Sequence, residues 1–170
     1  ENSAPYGGGL WNNGTLVLNN GIVAQNVGEW GAAGILAYEG TVTLNSTVVT
    51  GNGPVDPATA GPAGGIGVLQ AATATLNRSF VSGNVASSGG GIASEGAVTL
   101  TSTTIAGNYA KVDGGGISSV GSLMLVNSTM SDNLAEEGEG GGIHNNGGSL
   151  TVTNGTFVGN VSYGPYGSAI

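Results

Sequence analysis

The chain has 170 residues, 35 of them glycine, with 7% charged and 5% aromatic side chains and a formal charge of −8. Glycine at this density costs up to about 1 kcal/mol per helical position relative to alanine, which excludes a helical domain. Only Arg78 and Lys111 are positive, so a basic face for nucleic acid or anionic membrane is excluded, and with no cysteine there is no disulfide, thiol nucleophile or cysteine-bound zinc.

What remains is rich in valine, threonine, isoleucine and leucine, which suit a pleated surface, so the chain reads as a β protein with tight corners. Hydrophobic residues make up 39% of the sequence and recur in phase, unlike the charged, apolar-poor composition of disorder. No apolar stretch approaches the roughly 20 residues of a spanning helix, so membrane insertion by this segment is not expected. The start lacks the charged-then-apolar pattern of a secretory signal, as a mature or excised segment would.

In chain order, Glu1-Asn2 stands eight positions before Leu10 and reproduces the end of a preceding unit. The first complete unit runs from Leu10 through the alternating Leu16 and Leu18 to Val23 and Asn26. The second repeats this with Ile35, Val42, Leu44, Val49 and Asn52, and a Pro-rich insertion over 53–63 follows, with Pro54, Pro57 and Pro62. The third has Ile66, Ala74, Leu76, Val81 and Asn84, and the fourth Ile92, Val98, Leu100, Ile105 and Asn108. The fifth has Ile117, Leu123, Leu125, Met130 and Asn133, and the sixth Ile143, Leu150, Val152, Phe157 and Asn160. Gly167-Ser168-Ala169-Ile170 begins a seventh. The intervals between the closing aliphatics are 25, 31, 26, 25, 26 and 27 residues, and the step from the second strand anchor to the asparagine is eight in every unit.

A period near 25 with short strands and no helix predicts a single right-handed parallel β-helix over 1–170, of about six coils, each rising one strand spacing of about 4.8 Å. Alternating aliphatics should point inward and stack like on like, and glycines should turn the corners, where they permit positive φ. Asn26, Asn52, Asn84, Asn108, Asn133 and Asn160 should form a buried ladder whose amides bond corner backbone groups. The chain begins and ends in mid-repeat, which predicts continuation into a longer chain or end-to-end stacking with other copies.

Outward residues of the first long strand include Thr15, Thr41, Thr43, Thr73, Thr75, Thr99 and Thr151, two rows resembling the ice-binding face of solenoid antifreeze proteins and equally open to a carbohydrate. Val17, Ala97 and Met124 interrupt them. Asn-x-Ser/Thr sequons at Asn13, Asn45, Asn77, Asn127 and Asn154 are glycosylation acceptors in a glycosylating host; a sixth, at Asn160, should be buried and unmodified. The acids Glu29, Asp56, Asp113, Glu136, Glu137 and Glu139 fall in one corner and Glu39 and Glu95 in another, with His144 isolated from any acid of its own coil. No paired carboxylates suited to glycoside chemistry stand on the strands, so no catalytic residues, cofactor or metal are assigned. Asp113 stacked on Glu136 to Glu139 would be the place to seek calcium.

Gly115-Gly116-Ile117 with Met130 to Asn133, and Gly141-Gly142-Ile143 with Phe157 to Asn160, resemble the GGAI and FxxN repeats of polymorphic outer membrane proteins and related bacterial surface β-helices. The resemblance covers the whole chain, although Phe fills the FxxN position once and Ala32-Ala33-Gly34 loosens the glycine pair. It implies a secreted or cell-surface solenoid, structural or adhesive, without implying a particular receptor. Other copies of the chain, from its uncapped ends, and a host surface or glycan are the expected partners. A polysaccharide-active enzyme is the remaining alternative.

Overall fold

The computed structural model describes residues 2–56 and 61–170. Six coils stack in one direction, and every pairing between strands is parallel. A complete coil carries four short strands, which in the fourth are Ile92–Ser94, Ala97–Thr101, Thr104–Ala106 and Tyr109–Ala110. In the first two coils the first pair of strands fuses, into Leu10–Asn19 and Ile35–Asn45. That fusion merges two sides of the solenoid into a 10-stranded sheet, beside sheets of six, four and two strands. The described residues form no helix. Of the predicted 53–63 insertion, residues 57–60 lie outside the described residues, as does Glu1.

The alternation read from the sequence sets the interior. Leu18, Leu44, Leu76, Leu100, Leu125 and Val152 lie in one file, each opposite its equivalent in the next coil. Ile35, Ile66, Ile92, Ile117 and Ile143 form a second file, all fully buried. Val49, Val81, Ile105 and Met130 form a third. A period-2 pattern can bury its aliphatics only by pointing them into the bore, and exact register keeps each against its like. Leu10, Leu16, Leu18, Leu150 and Phe157 close this core at its two ends and are only partly buried.

Glycines with positive φ turn two of the corners as expected, Gly51, Gly83, Gly107 and Gly159 beside the ladder asparagines and Gly89, Gly114 and Gly140 before the glycine pairs, but a third corner departs from that expectation. At the corner after the long strand, the left-handed residues are Asn20, Ser46, Arg78, Ser102, Asn127 and Asn154, with φ between 49° and 54° and no glycine among them. These side chains are exposed, so a Cβ meets nothing. Each turn is fixed from outside: the N–H groups of Ser46, Arg78 and Ser102 each donate to a carbonyl of the next coil at 2.9 Å. Stacking therefore imposes a conformation that an isolated serine or arginine would avoid.

Glycine is required where coils touch. A Cβ on Gly91 would lie 2.7 Å from the Gly116 carbonyl oxygen and 3.1 Å from the Asn108 amide nitrogen; on Gly65 the figures are 2.5 Å to Gly91 and 3.1 Å to Asn84. Gly34, Gly116 and Gly142 meet the asparagines of their coils in the same way.

Candidate functional site

The six sequence-marked asparagines form one continuous ladder, and Asn2 extends it. Nδ2 of Asn26 donates to Oδ1 of Asn52 (2.9 Å), Asn52 to Asn84 (2.9 Å), Asn84 to Asn108 (3.0 Å), Asn108 to Asn133 (2.9 Å) and Asn133 to Asn160 (2.9 Å). Asn2 donates to Asn26 at 2.8 Å. From Asn52 to Asn160, each Oδ1 also accepts the backbone N–H of the asparagine before it, and the second Nδ2 proton goes to the carbonyl three residues upstream of that asparagine. The apolar-x-x-Asn spacing thus places a main-chain acceptor within reach of the next coil's amide. Asn26 to Asn133 are buried and Asn160, in the last coil, is half-buried.

A second ladder went unrecognised. Thr47, Ser79, Thr103 and Ser128 are buried at the corner after the long strand. Each hydroxyl donates to a carbonyl of the coil above, as Thr103 does to Leu76 (3.1 Å), and accepts a backbone N–H, as from Ser79 (3.4 Å). The signal was present as a hydroxyl residue three positions after Leu44, Leu76, Leu100 and Leu125. At Asn45 and Asn77 it coincides with the sequon pattern, because Thr47 and Ser79 supply the hydroxyl.

The sequon asparagines lie on the outside. Asn77 donates to Asn45 (2.9 Å) and Asn45 to Asn19 (2.8 Å), Asn154 donates to Asn127 (3.0 Å), and Asn13 is exposed in the first coil. The threonine rows share a face: Thr15, Thr41 and Thr73 align with Ala97, and Thr43, Thr75 and Thr99 are successive neighbours between Val17 and Met124, with Thr151 beyond.

The titratable groups gather in two places. Lys111 Nζ lies 3.0 Å from Glu136 and 2.8 Å from Glu137, and the Tyr109 hydroxyl donates to Glu136. The bonds from Tyr109 and then Lys111 hold the Glu136 carboxyl below its ordinary range. Burial, reinforced by Glu136, pushes the Tyr109 hydroxyl up, and its two glutamates raise Lys111. His144 is not isolated as expected: Asp113 and Glu139 each approach a ring nitrogen to 3.9 Å, because stacking brings adjacent corners together. Asp113 Oδ1 accepts the Glu139 N–H at 2.8 Å, and the described residues contain no group of three metal-ligating side chains.

One depression has no counterpart in the repeat pattern of the sequence. It is an apolar cleft of about 460 Å³ running along the outside, from Tyr6 and Trp11 to Ser118 and Val120. Its floor is the column beside the buried isoleucines, where Trp11, Leu36, Gly67, Ala93 and Ser118 lie in register. Gly67 and Ala93 keep that floor low, and Leu36 packs with Ala32 and Ala63 into a small apolar cluster that also lines the cleft. Both tryptophans line it, with Tyr6 and Tyr38. Tyr38 gets there through a bulge: the register shifts between Asn12 and Asn13, leaving Tyr38 as the extra residue, its ring 5.6 Å from Trp11. Trp30 is held by its N–H bond to the Pro5 carbonyl (2.9 Å) and meets Tyr6 edge-on at 6.1 Å. All four rings stay between 44% and 62% exposed, and Glu95 is the one charged residue among those lining the cleft.

Stacked parallel coils, an inward aliphatic bore and an asparagine ladder define a β-helix. The model of the right-handed β-helix region family matches residues 6–168, and the chain belongs to that family. No curated protein and no solved structure matches it.

Proposed function

We propose that this chain is a non-enzymatic β-solenoid that serves as a rigid structural and adhesive part of an extracellular or cell-surface protein, with repeats of the polymorphic outer membrane protein kind. One observation carries the reading: the glycine pair and the asparagine are halves of a single packing device, since the second glycine of each pair lies against the ladder amide of its own coil. The repeated motif is thereby spent on stacking. The ladder asparagines and the hydroxyls of Thr47, Ser79, Thr103 and Ser128 are engaged likewise, in bonds from coil to coil. Outside, His144 stands beyond hydrogen-bond range of both its acids, and Lys111 and Glu136 engage each other.

The test is incubation with neutral and acidic polysaccharides, following the release of reducing ends and of unsaturated uronides. No product above the rate without protein is expected. Turnover that disappears in Glu95→Gln or His144→Ala would overturn the reading.

A further inference from the structure

We infer that the aromatic cleft binds a neutral oligosaccharide, with sugar rings laid on Trp11, Tyr38 and Trp30 and hydroxyl groups directed to Glu95. This inference deepens the adhesive half of the proposed function and rests on it.

The shape comes first. The floor column passes through five successive coils, so the cleft is about 19 Å long at one strand spacing per coil. Its volume lies within the range of small-molecule sites, and its length suits a chain ligand rather than a compact one. Four rings at one end are more than half or nearly half exposed, although aromatic surface of this size is ordinarily buried. Their mutual geometry leaves faces free: Trp11 and Tyr38 lean together at 36°, and Trp30 meets Tyr6 at 70°.

The chemistry then selects the occupant. The ring faces carry negative partial charge and attract flat C–H surfaces. The far end offers Glu95, an acceptor for hydroxyl donors, with Ser88 and Ser118 alongside. A ligand complementary to both must be apolar on one side and hydroxylated on its edges, which describes a pyranose ring. Neither Arg78 nor Lys111 lines the cleft, and the chain carries −8 overall, so an acidic sugar would meet repulsion with no counter-charge. A compact quaternary ammonium fits less well, because the rings are paired with one another rather than set around a point. An extended peptide finds no sheet edge, since the floor strands are paired on both sides with neighbouring coils.

The two tryptophans of the chain both stand in the cleft and provide the reporter. Tryptophan fluorescence is titrated with cellohexaose, xylohexaose, mannohexaose and laminarihexaose, and in parallel with hexagalacturonate, tetramethylammonium and a proline-rich decapeptide. Calorimetry gives the affinity. A saturable spectral change with at least one neutral hexaose, and none with the other three probes, is expected. Tyr38→Ala, which removes one stacking face, should weaken binding about tenfold, and so should Glu95→Gln. Both residues are exposed, so circular dichroism should be unchanged. Ala93→Tyr, which fills the floor, should abolish binding with both reporters intact. The inference is overturned if no neutral hexaose binds, if one of the other three probes binds more tightly, or if the spectrum shifts with protein concentration alone, which would make a second copy the occupant. Hydrolysis of a bound hexaose would instead overturn the non-enzymatic reading and leave the site standing.

Discussion

Replacing Asn108 with alanine removes one rung of the inner ladder, and the cost can be worked from its bonds. Oδ1 accepts the Asn84 N–H and Asn84 Nδ2, both at 3.0 Å, while Nδ2 donates to the Val81 carbonyl (3.0 Å) and to Asn133 Oδ1 (2.9 Å). Asn133 Oδ1 keeps the Asn108 N–H at 3.0 Å and is not orphaned. Two buried groups lose their partner, the Asn84 N–H and one Asn84 amide proton, while the Val81 carbonyl keeps its place in the parallel ladder with the next coil. At about 1 kcal/mol for each orphan, the low end of the usual range, the loss is about 2 kcal/mol. Aligned amides polarise one another, which works in the same direction. Asn160→Ala removes a half-buried rung and should cost about 1 kcal/mol. Urea unfolding of the three proteins, followed by circular dichroism, measures both differences. A loss below about 0.5 kcal/mol for Asn108→Ala, or equal losses at the two sites, would refute the claim that the ladder stabilises by satisfying buried backbone.

Gly91→Ala puts a Cβ 2.7 Å from the Gly116 carbonyl oxygen, against backbone that cannot yield, and should cost more than about 2 kcal/mol; a wild-type midpoint in urea would contradict the close approach of coils. Thr103→Val keeps shape but leaves the Ser79 N–H unpaired, while the Leu76 carbonyl keeps its place in the parallel ladder, for about 1 kcal/mol by the same unfolding assay. Glu136 has a folded pKa below its unfolded value, so its contribution is present at neutral pH and lost as pH falls through the folded value, below the ordinary carboxylate range. Glu136→Gln should therefore lower the melting temperature at neutral pH and match the parent in strong acid; an equal difference at both would refute the assignment. Because Val17, Ala97 and Met124 interrupt the threonine rows, no thermal hysteresis is expected; hysteresis abolished by Thr43→Tyr with Thr75→Tyr would make this face ice-binding.

The sequence by itself determined the coil. Its period, its inward aliphatics and the fixed eight-residue step to asparagine follow from local spacing. A parallel solenoid repeats the same contact at every coil, so one register serves them all. The sequence also placed the asparagines, because an amide recurring at one corner has a stack of identical amides to bond. Only the stacked structure decided which polar residues complete the wall: Thr47, Ser79, Thr103 and Ser128 look like sequon or strand residues until the next coil supplies their partners. It likewise set serine and arginine in left-handed corners and put Asp113 beside His144. The cleft was least legible. Tyr6 and Trp30 stand opposite each other in successive coils, whereas Trp11 lies on the outward column beside the isoleucines and Tyr38 is the extra residue of a bulge, so only stacking and that bulge bring the four rings together. A repeat pattern encodes what all coils share, whereas a binding site is built from the residues in which they differ.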